Sequence, residues 1–373
     1  MAGTINDIAR LAGVSKATVS RVINQKPDVD PATRARILRI MEEQGFTPSI
    51  AAAGLAGGRT RLIGMLIPSL TWPLMPEIMR GVGEVVEQSA YELVVYSVSH
   101  EQDRSAVIDR ILAARLNEGL LAVYPGQATS YLNELHESGY PVVMLDDQGA
   151  PLGTTPWVGA DNRTGAYTAV RHLIENGHHR IGHIKGRAGY LCSDDRYLGY
   201  CDALAEAGIS LDPDLVVQGD FLISGGAACA EQLAALRDRP TAIFAASDDM
   251  ALGALGALAE VGLRVPEEMA LVGFDDTTPA SFTRPALTTV RQPFYEMGKR
   301  AATLLLDSVN ALRQPIPPSW LTAQRENVPL REFLPTRLVV RDSCGAGRVE
   351  AADVRLGALD RSSARPESAR YGI

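Results

Sequence analysis

The stretch TINDIARLAGVSKATVSRVIN, residues 4–24, contains two short helical patterns separated by a turn. Thr4 followed by Asp7 is typical of a capping box at the start of the first helix, which Gly13 ends. Ser15 is placed to cap the second helix. Apolar residues recur at helical spacing in both segments, so both helices can bury one face in a shared core. The spacing predicts the first two helices of a helix-turn-helix.

A third helical pattern completes a small domain over residues 1–46. Asp30 and Pro31 begin this helix, and Gly45 ends it. The second helix of such a domain can lay its N-terminal residues on base edges in the major groove of double-stranded DNA, while other polar residues hold the phosphates. The residues predicted to contact DNA in this domain are Thr4, Ser15, Lys16, Ala17, Thr18, Ser20, Arg21 and Asn24. A small helical cap with a solvated polar face is the alternative interpretation.

The charge is distributed unevenly along the chain. The 373 residues carry a formal net charge of −8, but the first sixty contain eight basic and five acidic residues, which leaves −11 for the remainder. This asymmetry favours local DNA contact and argues against a protein coated in nucleic acid or docked on an anionic membrane. The four cysteines lack metal-pair spacing, and neither a leader nor a long apolar run is present. We therefore expect a cytoplasmic protein without a membrane partner.

Residues 47–59, TPSIAAAGLAGGR, connect this head to a larger region and favour a short hinge helix. Pro48 suits a helix start, whereas Gly54 costs about 1 kcal/mol of helix stability relative to Ala. Because so short a helix is marginal alone, we expect it to fold when held between DNA and a second copy. Ala52 and Leu55 are the predicted DNA contacts, with Leu55 as a wedge between base pairs in the minor groove. A flexible apolar linker is the alternative.

From residue 60 onward, strand-like apolar runs alternate with helix-length stretches. The first series is RLIGMLIP, ELVVYSV, GLLAVY and PVVMLDD. The second begins at WVGADN and continues through RIGHIKG, LVVQGD, TAIFAAS and ALVGFDD. This alternation predicts an α/β core of two similar lobes, each with a parallel sheet. Because loops follow the carboxyl ends of the strands, the cleft between the lobes is the expected ligand site.

The order of these motifs resembles the LacI/GalR (lactose-repressor) family of bacterial transcription regulators over residues 3–343. The motifs that carry the resemblance, besides the quoted head, are GRTRLIGMLIP, GADNRTGAYTAVRHLIENGHHRIGHI, DDRYLGYCDAL, AASDDMALGAL, VPEEMALVGFDD and PALTTVRQP. The resemblance implies a helix-turn-helix head on a two-lobed core like that of periplasmic binding proteins. It also implies a homodimer, or a tetramer of paired dimers, that binds a near-palindromic operator at the bacterial nucleoid. A small-molecule effector in the cleft would then alter the DNA affinity.

The resemblance further implies that the chain crosses three times between the lobes, so that they can rotate but not separate. We expect an N-terminal subdomain of about 60–158 and 288–318 within a core of 60–344. The C-terminal subdomain is expected at about 159–287 and 319–344. Residues 345–373 are dominated by Ala, Gly, Ser and Arg, which predicts a disordered tail.

Six residues are predicted to hold the effector. Arg196 stands where the family places an arginine that reaches the ligand. The remaining candidates are the polar residues Ser247, Asp248 and Asp275, which follow strands, and the aromatic residues Trp72 and Phe221. Because carboxylates and Arg can satisfy vicinal hydroxyl groups and an aromatic face can cover C–H surface, the set favours a sugar or sugar derivative. An aromatic residue that plugs a loop or a subunit interface is the alternative.

Catalytic and metal sites are the remaining interpretations of the polar motifs. The acidic doublets at 248–249 and 275–276 occur in hydrolases and metal sites, but such doublets also cap helices. The run GHHRIGH, residues 177–183, has irregular spacing and no acidic or cysteine partner. No Ser-His-Asp set, P-loop or Cys-x-x-Cys pair is found. We therefore expect no cofactor, metal or catalysis. A solute-binding module and a sugar-processing α/β enzyme are the alternative functions.

Overall fold

The computed structural model of the chain describes residues 4–23, 26–46, 60–98, 104–114, 116–146, 153–312 and 330–346. The predictions for Asn24, for the hinge with Ala52 and Leu55, and for the tail beyond residue 346 lie outside these residues. The head consists of three helices: Ile5–Ala12 (α1), Lys16–Ile23 (α2) and Pro31–Glu43 (α3). The three predicted helices are therefore confirmed.

Capping groups fix the ends of the head helices as the sequence predicts. The Thr4 Oγ1 accepts a hydrogen bond from the Asp7 amide at 3.4 Å, and the Thr4 amide donates to Asp7 Oδ2 at 2.9 Å. The Ser15 Oγ accepts from the Thr18 amide at 3.1 Å. Gly13 has a φ of +63°, the left-handed conformation that ends a helix without a Cβ clash.

The strands of the described core form two six-stranded sheets. Along the chain they are Leu62–Ile67 (β1), Glu92–Ser97 (β2), Asn117–Val123 (β3), Val142–Leu145 (β4), Trp157–Ala160 (β5), Ile181–Lys185 (β6), Val216–Gln218 (β7), Ala242–Ala245 (β8), Ala270–Asp275 (β9), Thr288–Arg291 (β10), Arg331–Leu334 (β11) and Arg337–Val339 (β12). The first sheet has the order β11-β5-β4-β3-β1-β2 and the second β12-β10-β9-β8-β6-β7. All neighbouring strands are parallel except β10 and β12, which are antiparallel.

Helices cover the faces of both sheets, as right-handed crossovers between parallel strands require. They are Met75–Glu87 (α4), Arg104–Ala114 (α5), Thr129–Glu137 (α6), Asn162–Glu175 (α7), Leu191–Glu206 (α8), Ile223–Ala234 (α9), Asp248–Glu260 (α10) and Phe294–Ala311 (α11). Short 3₁₀ turns lie at Gly126–Ala128, Pro213–Leu215 and Thr278–Ser281. The predicted α/β architecture of two lobes is confirmed.

The subdomain boundaries differ from those predicted at three places. β5 pairs with β4, so the WVGA run completes the first sheet and does not begin the second series. β10 pairs with β9 and β12, which places residues 288–291 in the C-terminal lobe. β11 pairs with β5, which places residues 331–334 in the N-terminal lobe. A strand of four residues gives no information about which sheet it joins, because the pairing partner is distant in sequence.

Three short crossings therefore connect the lobes, at residues 160–162, 291–294 and 334–337. The second crossing continues into α11, which packs tightly on α4 of the N-terminal lobe. A Cβ at Gly81 would overlap the backbone of Tyr295, and a Cβ at Gly298 would overlap the backbone of Ile78. Glycines on both helices thus allow close approach and hold the second crossing against the N-terminal lobe.

Candidate functional site

The second helix of the head presents an exposed polar face. Val19 and Val22 are buried in the head core with Ile8 and Ile37, whereas Lys16, Ala17 and Arg21 are exposed. Because helix residues three and four apart share a face, burial of the two valines directs the opposite side of α2 to solvent. The predicted base-contact residues therefore lie on an accessible surface.

The other predicted residues of the head support its geometry. Ser15 and Thr18 share a hydrogen bond between their hydroxyl groups at 2.9 Å, so both contribute to the cap of α2. Ser20 and Thr18 are half-buried. The Arg21 guanidinium lies 3.6 Å from a carboxylate oxygen of Asp28, with both side chains more than half exposed. An ion pair so exposed is weak, which leaves the Arg21 fork free to exchange this partner for another.

A cavity of about 550 Å³ lies between the two lobes of the core. The N-terminal lobe contributes the loop after β1 and Tyr124 after β3. The C-terminal lobe contributes residues after β6, β7, β8 and β9, together with Gln292 from the second crossing. The residues that line the cavity include Trp72, Tyr124, Arg187, Tyr190, Cys192, Arg196, Asp220, Phe221, Ser247, Asp249, Asp275 and Gln292. The site thus forms where the carboxyl ends of both sheets meet, as predicted.

Aromatic rings line this cavity from both lobes. Trp72 and Tyr124 of the N-terminal lobe meet edge to face with their centroids 4.5 Å apart. Phe221 of the C-terminal lobe lies 5.9 Å from the Tyr190 ring. The Phe221 ring packs directly on Gly186, where any Cβ would overlap it. The two predicted aromatic residues therefore line one cavity from opposite sides, with ring faces suited to C–H surface.

Arg196 is buried at the base of the cavity. Its Nε donates to Asn162 Oδ1 at 2.8 Å, and its Nη1 donates to the Ala246 carbonyl oxygen. Its guanidinium carbon lies 3.8 Å from the centroid of the Phe274 ring. These contacts fix the plane of the guanidinium, and within the described residues its Nη2 donates no hydrogen bond. Nη2 is thus the donor that Arg196 retains for a ligand.

Asp275 faces Arg196, with its Oδ1 3.6 Å from Nη1. The same carboxylate oxygen accepts a hydrogen bond from Gln292 Nε2 at 2.7 Å. Burial raises the pKa of Asp275 to about 6, although the charge of Arg196 and the hydrogen bond from Gln292 lower it. The charges of Arg196 and Asp275 therefore compensate each other only in part, and a ligand between them can supply the missing interactions.

The prediction for Asp248 needs correction, because this residue does not line the cavity. Asp248 is fully buried, and its carboxylate accepts hydrogen bonds from Thr289 Oγ1 at 2.6 Å and from the Thr277 amide at 2.7 Å. It ties the start of α10 to β10 and to the loop after β9. The adjacent Asp249 lines the cavity instead. Successive helical residues point about 100° apart, so Asp248 is directed into the protein interior while Asp249 faces the cavity.

The sequence did not indicate several polar residues that line this site, among them Tyr124 and Gln292. Tyr124 lines the cavity and donates to Asp146 Oδ2 at 2.8 Å; Gln292 lines it from the second crossing. Tyr124 and Asp146 both follow strands of the first series, which is the signal that would have found them. Of the six non-glycine residues with positive φ in the described chain, three line this cavity, namely Tyr124, Phe221 and Asp275. Such backbone strain is concentrated at functional sites.

The charged centre of the cavity is hydrogen-bonded to two of the three crossings. Arg196 binds Asn162 in the first crossing, and Asp275 binds Gln292 in the second. Thr336 Oγ1 of the third crossing donates to the Asp161 carbonyl oxygen at 3.2 Å, beside Asn162. A ligand that contacts Arg196 and Asp275 would therefore touch groups that are hydrogen-bonded to two of the segments that join the lobes.

The acidic and histidine-rich motifs do not come together as a metal site within the described residues. No group of three or more His, Cys, Asp or Glu side chains in these segments is arranged to hold a metal ion. His183 of the GHHRIGH run is fully buried between aromatic rings, with Nδ1 2.9 Å from the Phe244 carbonyl oxygen. None of the helices in the described chain is long and apolar enough to span a bilayer.

Comparison with known proteins assigns both parts of the chain. Residues 4–49 match the family described as bacterial regulatory proteins, lacI family, and residues 170–344 match a periplasmic binding protein-like domain. The HTH-type transcriptional repressor PurR of Aliivibrio salmonicida (strain LFI1238) is 34% identical over 306 residues, which cover 82% of this chain and 92% of that protein.

Solved structures share the architecture as well. The lac repressor dimer bound to operator and the anti-inducer ONPF superimposes with a TM-score of 0.77 at 29% identity, over 92% of this chain and 99% of that chain. The complex of the transcriptional regulator CelR with cellobiose gives a TM-score of 0.67 at 33% identity, over 91% of this chain and 99% of that chain. The similarity thus extends through head and core together.

Proposed function

The chain belongs to the LacI family of bacterial regulatory proteins, and we propose that it represses transcription under the control of a sugar or sugar derivative bound between its lobes. The observation that carries this proposal is that residues lining the cavity are hydrogen-bonded to residues of the segments that cross between the lobes. Arg196 and Asp275 line the cavity and bind Asn162 and Gln292 of the crossings. An effector held by this pair prefers one angle between the lobes, and its differential affinity shifts the population of DNA-binding molecules.

The ligand class follows from the lining of the cavity. Its size lies within the range of about 300–1,000 Å³ that is usual for small-molecule sites. Aromatic faces on both lobes cover C–H surface, while Arg196, Asp275, Ser247 and Gln292 offer donors and acceptors to hydroxyl groups. The CelR complex, a structural relative, holds cellobiose.

DNA is the second partner. The exposed residues Lys16, Ala17 and Arg21 on α2 would read a near-palindromic, double-stranded operator in the major groove, and Thr4, Ser15, Thr18 and Ser20 would support that contact. Because its operator lies in bacterial DNA, we place the protein in the cytoplasm, on the nucleoid when bound.

We propose a homodimer as the working unit. A near-palindromic site presents two equivalent half-sites, which two copies of one head fit. The C-terminal lobe exposes large apolar side chains, with Leu222 at 57%, Ile223 at 54% and Phe282 at 74%, and such residues favour burial against another protein surface. Sedimentation equilibrium would test this point, and a monomer at micromolar concentration would contradict it.

We also propose that the acidic residues of the cavity bind and do not catalyse. Asp248 is held by two threonines, and Asp275 is paired with Arg196. An α/β enzyme that processes sugars is the competing function. Turnover of a sugar that is lost in an Asp275→Asn variant would favour the enzyme.

The central test combines operator selection with effector titration. Genomic DNA fragments bound by the full chain are sequenced, and gel shifts on the selected site are repeated with candidate sugars. We expect a near-palindromic consensus whose affinity changes at least about tenfold with one effector class. Equal binding to all DNA sequences, or an operator affinity that no compound alters, would contradict the proposal.

A further inference from the structure

The interlobe cavity contains more acidic than basic side chains. Asp220, Asp249 and Asp275 line it against Arg187 and Arg196. The charge of Arg196 is matched by Asp275 at 3.6 Å. Arg187 is exposed at the edge, with its guanidinium carbon 5.4 Å from the Tyr190 ring centroid. The lining as a whole therefore carries a small excess of negative charge, which attracts cations and disfavours anions.

Asp249 is the carboxylate of this set that lacks a partner. In the described part of the chain, its side chain makes no hydrogen bond and no ion pair, whereas Asp220 Oδ1 accepts from the Leu222 amide at 2.9 Å. Its charge also raises the pKa of Asp275 and so opposes ionisation there. A half-buried carboxylate without a donor is costly, so its position favours a ligand that brings one.

Gln292 provides a second acceptor at the cavity that lacks a donor. Gln292 is 4% exposed, and its Nε2 is used by Asp275. Its Oε1 is buried without a hydrogen-bond partner among the described residues. Gln292 and Asp249 thus both present oxygen atoms that can accept hydrogen bonds from N–H or O–H groups of a ligand. A phosphate or carboxylate group placed against these oxygens offers acceptors instead and would leave them unsatisfied.

We propose that the effector is a hydroxyl- or amino-bearing compound without negative charge, such as a neutral sugar, an amino sugar or a nucleoside, and that Asp249 sets this preference. The inference rests on the proposed function and narrows the ligand class of the same cavity. Hydroxyl or amino groups donate to Asp249 and Gln292, while Arg196 Nη2 donates to a ligand oxygen. A phosphorylated or acidic analogue brings a like charge to Asp249 in a partly desolvated site, where repulsion is weakly screened.

The test uses matched ligands on the full chain. Isothermal titration calorimetry compares glucose, glucosamine, glucuronate and glucose 6-phosphate, then the corresponding galactose compounds, and then cytidine and adenosine with their monophosphates. We expect the tightest-binding series to favour its neutral or amino member over its anionic member by about tenfold or more. In an Asp249→Asn variant this ratio should fall to about threefold or less, because the anion gains affinity.

An Asp238→Asn variant is the matched control. It removes the same charge from the same lobe at a side chain that is 85% exposed and outside the cavity. Its selectivity should equal that of the unmodified protein. An anionic member that binds as tightly as its neutral partner, or a ratio that Asp249→Asn leaves unchanged, would overturn the inference.

The same titrations separate this inference from the proposed function. If a phosphorylated compound is the one that changes operator affinity in gel shifts, regulation by an effector stands and charge selectivity is wrong. If no compound of the panel binds, the sugar and nucleoside classes are wrong, and the inference fails with them.

Discussion

Arg196 and Asp275 form a buried ion pair at the base of the interlobe cavity, with 3.6 Å between Nη1 and Oδ1 and side chains that are 4% and 11% exposed. Each partner also binds a different crossing between the lobes, through Asn162 and Gln292. One pair thus links the ligand site to two of the segments that set the angle between the lobes.

Removal of Arg196 should destabilise the protein in a pH-dependent way. Breaking a buried pair typically costs about 3–5 kcal/mol, because a charge is left without a partner. Asp275 can avoid this cost by binding a proton, and its pKa of about 6 rises further without Arg196. We expect Arg196→Ala to lower the free energy of unfolding by about 3 kcal/mol at pH 8 and by less at pH 5. Guanidinium denaturation at both pH values measures the difference.

A double variant gives the control for this experiment. In an Asp275→Asn background no carboxyl group remains at this position to take up the proton, so the cost of Arg196→Ala, measured against Asp275→Asn alone, should be the same at pH 5 and pH 8. Equal destabilisation by Arg196→Ala at pH 5 and pH 8 would show that the loss does not arise from the charge of Asp275.

Gly186→Ala should weaken effector binding by displacing Phe221. An added Cβ would overlap the Phe221 ring, which must then leave its place on the cavity wall. Such overpacking costs about 1–3 kcal/mol. Calorimetric titration of the effector should give a loss of affinity of about tenfold. Gly83→Ala in α4 is the matched control, since nothing lies within 4 Å of its added Cβ, and an equal loss there would contradict the role of the ring.

Arg21→Ala should abolish preference for the operator while the head stays folded. The side chain is 60% exposed, and its pair with Asp28 is a surface pair, so the free energy of unfolding should change by about 0.5 kcal/mol or less. Gel shifts on operator and scrambled DNA measure the preference. Arg39→Ala removes the same charge from α3, where the side chain is 70% exposed. If both variants lose preference equally, the effect is one of charge and not of base recognition.

His183 should make the protein less stable in mild acid. Burial lowers the pKa of His183 to about 3, whereas a histidine in the unfolded chain titrates near 6.5. Between these values only the unfolded state binds the proton, so the free energy of unfolding falls by up to about 1.4 kcal/mol per pH unit as the pH decreases from 6.5. Urea denaturation from pH 7 to pH 5 should show a shallower dependence in His183→Gln. An equal pH dependence of unfolding in His183→Gln and in the unmodified protein would contradict this role of His183. His179→Gln, at an exposed histidine, serves as the control.

The head illustrates what local sequence can determine. Thr4 with Asp7 and Ser15 with Thr18 are each three residues apart, and both pairs form the predicted caps. Capping and burial of a helix face depend on contacts within a few residues, which the spacing displays directly. The same holds for the alternation of strands and helices in the core.

The cavity depends both on local sequence and on the tertiary structure. Trp72, Arg196, Phe221, Ser247 and Asp275 line it as predicted, because positions after the carboxyl ends of strands converge at one edge of a sheet. The prediction for Asp248 was wrong, since the orientation of α10 decides which member of the acidic doublet faces the cavity.

The sequence by itself determined the order of the elements, the family and the set of strand ends that meet at the ligand site. Only the tertiary structure decided which strands cross between the lobes, which carboxylate of each doublet faces the cavity, and that Asn162 and Gln292 join the charged pair to the crossings. The physical reason is that helical and strand patterns arise from neighbours along the chain, whereas sheet membership and side-chain pairing depend on residues far apart in it.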